Sequence, residues 1–355
     1  MIRKVGTARI VREIGRGGMG VVYEAVQEAL DRPVAVKALD PKLVKHAEVL
    51  ERFRREGKAY ARLRHEAIVA VHDLVEKDDG LFLVTDYVDG ADLARILAEG
   101  GALPPDCAAV IGARVAEALD YVHFEKLLHR DVKPANVMVS RLGEVKLMDF
   151  GIAKAESDHA LTSDGMLVGS PSYMAPEVLE GAPGSPASEV WALGVSLYEL
   201  LTGEKPFSGK TAQELFTAIR KGRHRRVRAL AKDCPWRLAR IVERCLAKNP
   251  ARRWQSAAAL AEALDRQARR MLPRGLHARA RLVAMLTHRG FVTEALALTR
   301  IELSTLASTA FADAAHGPRT SVEFPQPSLP SPALKLAVGA LLAVAAGLTA
   351  WLVRM

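Results

Sequence analysis

The segment at residues 129–136 constrains this chain more than any other part of its sequence. It reads His-Arg-Asp-Val-Lys-Pro-Ala-Asn, and Asp-Phe-Gly follows at residues 149–151. The two segments supply a carboxylate that can serve as a base, a lysine, and carboxylate and amide oxygens of the kind that hold divalent cations. A fold that uses these groups together must bring both segments to one site.

The composition is that of an ordinary folded protein. The chain has 355 residues, of which 49% are hydrophobic, enough for two lobes and an appendage. Cys107, Cys234 and Cys245 are widely spaced and form no zinc pattern, so we expect reduced thiols. The net charge of +9 raises nucleic-acid binding as an alternative function. No recognition motif accompanies that charge, and we therefore expect no nucleic-acid partner.

Hydrophobic patterning changes along the chain. Apolar residues alternate through residues 8–37, which predicts strands, and residues 81–87 predict another strand. Residues 48–64 are typical of a charged helix, and beyond Pro104 the pattern is mainly helical. The predicted helices there are residues 107–125, 189–201, 212–221, 236–247 and 256–271. We therefore predict an α+β chain with a small β-rich lobe followed by a larger helical lobe.

Four further segments carry recognisable motifs. They are Gly-Arg-Gly-Gly-Met-Gly at residues 15–20, Val-Ala-Val-Lys at 34–37, Phe-Arg-Arg-Glu at 53–56 and Ala-Pro-Glu at 175–177. Together with residues 129–136 and 149–151, this ordered set resembles the bacterial membrane-anchored, eukaryotic-like (Hanks-type) serine/threonine protein kinases. The resemblance covers residues 8–271. It implies a bilobal protein-kinase-like fold, with an N-lobe at about residues 8–88 and a C-lobe at about 89–271.

The resemblance implies transfer of the γ-phosphoryl group of ATP to serine or threonine of protein substrates. Asp131 would orient the acceptor hydroxyl, and Lys133 would lie near the transferring group. Asn136 and Asp149 would hold Mg²⁺, for which Mn²⁺ can substitute. Lys133 also favours serine and threonine acceptors, because tyrosine kinases usually place an arginine nearby instead.

The implied nucleotide site draws on the three motifs of the first lobe and on a hinge. Lys37 would neutralise phosphates and pair with a glutamate of the next helix. Glu56 matches the family position for that partner, and Glu48 and Glu51 remain alternatives. Thr85 takes the gatekeeper position, with backbone groups of Asp86 and Val88 beside the base. The implied ATP-binding residues are Ile14, Gly15, Gly17, Gly18, Gly20, Val22, Ala35, Lys37, Glu56, Thr85, Asp86 and Val88.

Residues 149–177 resemble an activation segment. Thr162 and Ser163 are its candidates for autophosphorylation, and a phosphate there could pair with Arg130. At the end of the segment, Glu177 would form a buried structural ion pair with Arg253. Arg252 is the neighbouring alternative.

Two stretches depart from the family pattern. Glu189 stands where an aspartate normally holds the backbone of the catalytic loop, and its extra methylene is expected to shift that anchor. It motivates the alternative of a catalytically weak pseudokinase that acts as a nucleotide-binding scaffold. Residues 220–228, which read Arg-Lys-Gly-Arg-His-Arg-Arg-Val-Arg, are unusually basic. A solvated loop, docking of acidic substrates and contact with anionic lipid all fit this stretch.

The C-terminal part carries no kinase motif. Residues 273–315 are predicted to be helical and of unknown role, and residues 316–334 to be a proline-rich linker. Residues 336–353 are uncharged, so that residues 335–353 predict a single transmembrane helix, about 27 Å long at about 1.5 Å per residue. Small residues recur every fourth position, at Gly339, Ala343 and Gly347, a spacing that would allow a homodimer.

These features place the chain in the inner cell membrane as a single-pass protein in membrane-associated signalling. The kinase domain is expected in the cytoplasm, where ATP and reduced thiols are found, and the lipid bilayer is expected as a partner through the C-terminal helix. Deletion of residues 273–355 is expected to change regulation or location and to leave the chemistry intact.

Overall fold

The computed structural model describes residues 3–17, 20–40, 47–77, 80–151, 171–273 and 276–293. All of them belong to the first of two compact units, Met1–Leu306, and the second unit is Ala307–Met355. Gly18, Thr162 and Ser163, the linker at 316–334 and the membrane helix predicted at 335–353 lie outside the described residues. Within the described ranges, no helix combines the length and the apolar character needed to cross a bilayer.

The first lobe is a twisted antiparallel sheet with one helix. Its strands follow the order β1-β2-β3-β4-β6-β5 across the sheet. The strands are β1 (Lys4–Val5), β2 (Ala8–Gly17), β3 (Gly20–Gln27), β4 (Arg32–Leu39), β5 (Val71–Lys77) and β6 (Gly80–Asp86). Helix α1 (Ala47–Tyr60) connects β4 to the rest of the lobe. The lobe therefore begins and ends close to the residues expected from the alternating pattern.

Alternation within β4 decides which side chains reach the cleft. Val34 and Val36 are fully buried in a small apolar cluster on one face of the sheet. Because successive side chains of a strand point to opposite faces, Ala35 and Lys37 lie on the other face. There Ala35 is paired with Thr85 of β6. A shift of one residue in this register would turn Lys37 away from the cleft.

Two long helices form the centre of the second lobe. They are α3 (Pro105–Phe124) and α5 (Pro186–Thr202), and each is buried on most of its faces. Helix α5 begins where Ser185 forms a capping box with Ser188, and it ends at Gly203, whose φ of 75° suits glycine. A side chain at Gly194 would place its Cβ 2.4 Å from that of Cys245, so glycine lets α5 approach the next helix closely.

Shorter elements surround this pair. The helices are α2 (Leu93–Gly100), α4 (Pro176–Leu179), α6 (Ala212–Lys221), α7 (Val227–Leu230), α8 (Trp236–Cys245), α9 (Ala257–Met271) and α10 (Ala278–His288). A second sheet of three antiparallel strands contains β7 (Gly90–Asp92), β8 (Val137–Ser140) and β9 (Val145–Leu147). This small sheet positions the loop that precedes β8 and the Asp-Phe-Gly segment that follows β9. The α+β class and the two-lobed architecture are confirmed.

The three cysteines are all buried and free. Burial raises the pKa of the Cys107 thiol to about 12 and that of Cys234 to about 11. Burial also raises the pKa of Cys245 to about 12. Thiols with such pKa values are inert small apolar groups at neutral pH.

Helix α10 packs directly on the second lobe. Leu282, Val283, Met285 and Leu286 are buried in the same core as α3. Its apolar face therefore completes that core rather than facing solvent.

Polar contacts add to this packing. Arg281 forms an ion pair with Asp106 at the start of α3. The guanidinium of Arg289 donates to the carbonyls of Ile96, Gly101 and Ala102, which end α2. The packed lobe thus continues to about Val292, beyond the boundary expected at residue 271.

This packing changes what a truncation should do. We expect a chain that ends at residue 293 to unfold at nearly the temperature of the full chain, and one that ends at residue 273 to unfold at a clearly lower temperature. Within α10, Leu286→Ala should lower the free energy of unfolding by about 2–5 kcal/mol, because it leaves a cavity in the core.

The exposed neighbour of Leu286 in the same helix provides the control. His288→Ala should change the free energy of unfolding by less than about 0.5 kcal/mol. Denaturant and thermal unfolding of the four variants measure these differences. Equal stability of the chains ending at 273 and at 293 would contradict the integral role of α10.

Candidate functional site

A cleft between the two lobes is lined largely by apolar side chains. Seven of the residues expected to bind ATP line it: Ile14, Val22, Ala35, Lys37, Thr85, Asp86 and Val88. The sequence analysis missed other residues of its wall: Leu39, Phe53, Tyr60, Val69, Val71, Leu83, Tyr87, Met138, Met148 and Phe150. The sequence could have identified Met138 and Met148 as cleft residues. Met138 alternates with the buried residues Val137 and Val139, and Met148 directly precedes the Asp-Phe-Gly motif.

The hinge offers free backbone groups at this cleft. The N–H of Asp86 is already bonded to the carbonyl of Ala70, and its carboxylate accepts from Ala70 N–H and pairs with His72. The N–H and C=O of Val88 make no hydrogen bond with any described residue. A planar ligand with a donor and an acceptor on one edge could satisfy both groups of Val88.

The glycines of the first hairpin serve two different purposes. Gly20 has a φ of 138°, and a Cβ there would lie 1.9 Å from the carbonyl oxygen of Ala38, so the fold itself demands glycine. At Gly15 and Gly17 an added Cβ would meet no atom within 4 Å. Packing does not require glycine at these two positions, and the open space above the cleft is available to a ligand.

The charged side chains of the cleft pair differently from the expected arrangement. The Nζ atom of Lys37 lies 2.9 Å from Oδ1 of Asp149. Glu56 instead accepts from the guanidinium of Arg130 at 2.6 Å, and its second carboxylate oxygen is buried without a partner. The expected pairing of Lys37 with Glu56 is therefore wrong for this structure. Glu56 nevertheless lies on the buried face of α1, because Phe53 and Tyr60 occupy the same helical face.

Asp131 is held from two sides in the loop before β8. The side-chain amide of Asn136 donates to the carbonyl oxygen of Asp131 at 2.7 Å and to its Oδ2 at 2.9 Å. The Nζ of Lys133 lies 2.8 Å from the same Oδ2. A carboxylate fixed in this way is oriented to accept a proton from a hydroxyl that enters the cleft.

Asn136 and Asp149 together could hold a divalent cation. Their amide and carboxylate oxygens are hard ligands of the kind that Mg²⁺ prefers. The amide nitrogen of Asn136 is engaged by Asp131, while its amide oxygen makes no hydrogen bond with a described residue. The donor set therefore fits such an ion.

His129 forms part of an aromatic stack beneath the cleft. Its ring lies 4.5 Å from that of Phe150, which in turn stacks on Tyr60 at 4.3 Å. The ring is fully buried, which lowers its pKa and keeps it neutral. Its Nε2 donates to the carbonyl of Met148 at 3.0 Å, and its Nδ1 accepts from the N–H of Asp131 at 3.3 Å. These bonds join the segment at 129–136 to the Asp-Phe-Gly segment.

Glu189 fills the role of the shorter aspartate with a second partner. The backbone N–H of Arg130 donates to its Oε1 at 2.5 Å. Its Oε2 lies 2.7 Å from Nε2 of His123, near the end of α3. Because the carboxylate is buried and both oxygens are bonded, the extra methylene is accommodated and the anchor on the loop is kept. His123 is 66 residues away in sequence, so no local motif pointed to it.

Arg253 is the partner of Glu177. Its two terminal nitrogens lie 2.6 and 2.7 Å from the two carboxylate oxygens, and the guanidinium is completely buried. The same group donates to the carbonyls of Ala187 and Ala247. Arg252 is exposed, so the alternative is excluded. This pair joins the end of the activation segment to the core and takes no part in chemistry.

Substitution of Glu189 tests its hold on the loop. Glu189→Ala leaves the N–H of Arg130 and the ring of His123 buried without partners, and should lower the free energy of unfolding by about 2–5 kcal/mol. We also expect faster hydrogen exchange at the amide of Arg130. Glu189→Gln, which keeps the shape, should have a smaller effect on both measurements.

Glu180→Ala removes an exposed carboxylate and serves as the matched control, with no expected change in either measurement. Unchanged exchange at Arg130 in Glu189→Ala would show that other contacts hold the loop.

Comparison with known proteins agrees with this geometry. The sequence profile described as protein kinase domain matches residues 8–264. The serine/threonine-protein kinase PkaA of Streptomyces coelicolor is 39% identical over 264 residues, covering 70% of this chain and 48% of PkaA. PknL of Mycobacterium tuberculosis is 36% identical, covering 71% of this chain and 63% of PknL. The chain thus spans between about half and two thirds of these relatives.

Solved structures show the same fold over a similar share of this chain. The crystal structure of the Mycobacterium tuberculosis PknI kinase domain superposes with a TM-score of 0.60 at 33% identity, covering 74% of this chain and 97% of that domain. Rad53 1-466 in complex with AMP-PNP gives a TM-score of 0.61 at 26% identity, covering 74% of this chain and 65% of the Rad53 chain. Since the profile match extends over most of the sequence and through both lobes, the chain belongs to the protein kinase domain family.

Proposed function

We propose that the protein transfers the γ-phosphoryl group of ATP to serine or threonine hydroxyls of protein substrates. The observation that carries this proposal is the set of groups around Asp131. A carboxylate fixed by Asn136 and Lys133 lies on the loop whose backbone bonds to residues 148 and 151, on either side of Asp149, and Asp149 pairs with Lys37 in the cleft. Relatives named serine/threonine-protein kinases, together with Lys133 itself, support serine and threonine as acceptors.

In this proposal the base of ATP occupies the apolar part of the cleft. The free N–H and C=O of Val88 would bond its edge, between Ile14 and Val22 above and Met138 below. The phosphates would lie under the open space at Gly15 and Gly17. The structurally similar Rad53 was crystallised in complex with AMP-PNP, which supports nucleotide binding by this chain.

Each polar group of the cleft then has a role. Asp131 accepts the proton of the acceptor hydroxyl and orients its oxygen, and Lys133 neutralises charge on the transferring group. Asn136 and Asp149 would hold Mg²⁺, or Mn²⁺ in its place, which would supply positive charge to neutralise the phosphates. Lys37 would exchange its bond with Asp149 for one with the phosphates.

The pairing of Glu56 with Arg130 supports a resting arrangement. Phosphoryl transfer in this family requires Lys37 to pair with Glu56. A phosphate on Thr162 or Ser163, added by autophosphorylation, would compete for Arg130 and release Glu56 toward Lys37. The partnerless oxygen of Glu56 makes its present position the easier one to leave.

Incubation with ATP, magnesium and a generic protein substrate tests the activity. We expect incorporation of phosphate by the wild-type protein and a loss of about 10²–10⁴-fold in Asp131→Asn, because the base is gone. Asp233→Asn, the same change at an exposed position, should remain active. Incorporation no higher in wild type than in Asp131→Asn would favour the scaffold alternative, which binds nucleotide without turnover.

The same proposal places the protein in a membrane. The uncharged run at 336–353 supports a single-pass helix in the inner membrane, with the kinase domain in the cytoplasm and with homodimers formed through Gly339, Ala343 and Gly347.

Two charges in the middle of the run test that helix. We expect the wild-type chain to stay in membranes washed with alkaline carbonate, and Leu342→Arg with Ala345→Arg to be released. Each arginine costs about 2.5–3.5 kcal/mol at the centre of a bilayer helix. Leu342→Ile is the control and should stay bound. Release of the wild-type chain would contradict a spanning helix.

A further inference from the structure

An open groove between α8 and α9 is lined by aromatic and cationic side chains. Six of its lining residues are tryptophan or arginine, and we refer to them as the tryptophan–arginine groove. They are Trp236, Arg237, Arg240, Arg244, Trp254 and Arg266. The remaining lining residues are Ile241, Ala263 and Gln267, so no acidic side chain lines the groove.

Helix α8 presents this surface by its periodicity. Its buried positions are Leu238, Ala239, Ile241, Val242 and Cys245. Its exposed positions are Trp236, Arg237, Arg240 and Arg244, and Trp236 is 52% exposed. The outer face of the helix therefore has an aromatic ring and three positive charges, although packing against the core requires none of them.

The arginines lie on aromatic rings and have few acidic partners. The guanidinium carbons of Arg237 and Arg240 lie 5.2 and 5.7 Å from the centre of the Trp236 ring, and that of Arg244 lies 4.3 Å from the centre of Trp254. Within the described residues, neither Arg237 nor Arg240 forms an ion pair. Arg266 has one exposed pair, with Glu262 at 3.4 Å. Stacking leaves the positive charge available to an anion from solution.

We propose that the tryptophan–arginine groove docks on the surface of an anionic phospholipid bilayer. The exposed indole of Trp236 is suited to the boundary between headgroups and acyl chains. Each arginine near an anionic leaflet contributes about 1 kcal/mol of attraction. The cations are spread along a helix about 15 Å long and do not converge on one point, which fits a layer of headgroups better than a single phosphate.

The rest of the chain supports this occupant. The basic stretch at 220–228 ends against α8, where the N–H of Val227 bonds to Glu243 at 3.3 Å. All five arginines of this stretch are exposed. The inference adds to the proposed membrane helix a second contact, which orients the second lobe toward the lipid, and it rests on that proposal only for the biological setting.

Vesicle sedimentation of the full-length Leu342→Arg, Ala345→Arg protein tests the groove separately from the membrane helix. We expect this protein to bind vesicles of phosphatidylcholine mixed with phosphatidylglycerol, and to bind pure phosphatidylcholine far more weakly. Adding Arg237→Gln and Arg240→Gln should reduce the partition coefficient about thirtyfold, the factor that corresponds to about 1 kcal/mol for each arginine. High salt should reduce binding in the same direction.

The matched control removes two exposed positive charges from the first lobe. Arg3→Gln with Arg62→Gln should leave the partition coefficient within about twofold, because these residues lie away from the groove. An equal loss in both double variants would overturn the proposal in favour of general charge attraction. Absence of binding to the anionic vesicles would overturn it as well, as would binding of an acidic phosphopeptide at the groove in place of vesicles.

The outcome is independent of the other proposals. Vesicle binding by the Leu342→Arg, Ala345→Arg protein requires neither a spanning helix nor phosphoryl transfer. If the wild-type chain is released by carbonate, it can replace that variant in the same assay. Failure of the groove therefore leaves the kinase activity and the membrane helix to be judged by their own tests.

Discussion

The bond between Glu189 and the backbone of Arg130 fixes the loop on which the rest of the cleft depends. Arg130 has a φ of 66°, in the left-handed region, which costs a non-glycine residue about 1–2 kcal/mol. The buried carboxylate offsets that strain and determines where the two neighbouring residues point. On one side His129 enters the aromatic stack, and on the other Asp131 meets Asn136. Glutamate, which is longer than the usual aspartate, keeps this arrangement because His123 binds Oε2, the carboxylate oxygen that Arg130 does not use.

Charge pairing in the cleft is complete before any ligand enters. Lys37 is matched with Asp149, Lys133 with Asp131, and Arg130 with Glu56. Exchange among these partners therefore costs less than creating an unpaired charge, because each cation can pass from a carboxylate to a phosphate. The fold holds the two members of each pair within 3 Å of one another and leaves their final partners to the ligand. Under the proposed function, this set of pairs is the resting arrangement.

The sequence predicted those features that depend on local pattern. Alternation in β4 placed Lys37 on the cleft face, and the apolar periodicity of residues 212–221 gave the bounds of α6. It did not predict that Glu56 pairs with Arg130, since a long side chain on a correctly placed helix reaches several cations. His123 was missed for the related reason that its contact depends on how α3 and α5 pack. Helix α10 could not be assigned to the lobe, because a short alanine- and arginine-rich helix shows its apolar face only once the surface beneath it is known.

The hydrogen bonds of Arg289 to the end of α2 connect residues 276–293 to the cleft. Helix α2 follows β7 and the hinge with almost no intervening chain, so the segment at 276–293 binds the far end of the helix that follows the hinge of the cleft. The two equilibria, docking of this segment and occupation of the cleft, are then subject to reciprocity. Any factor by which undocking changes the affinity for nucleotide is the same factor by which nucleotide changes docking. The segment at 276–293 and the cleft, at the two ends of one short helix, can therefore each report on the state of the other.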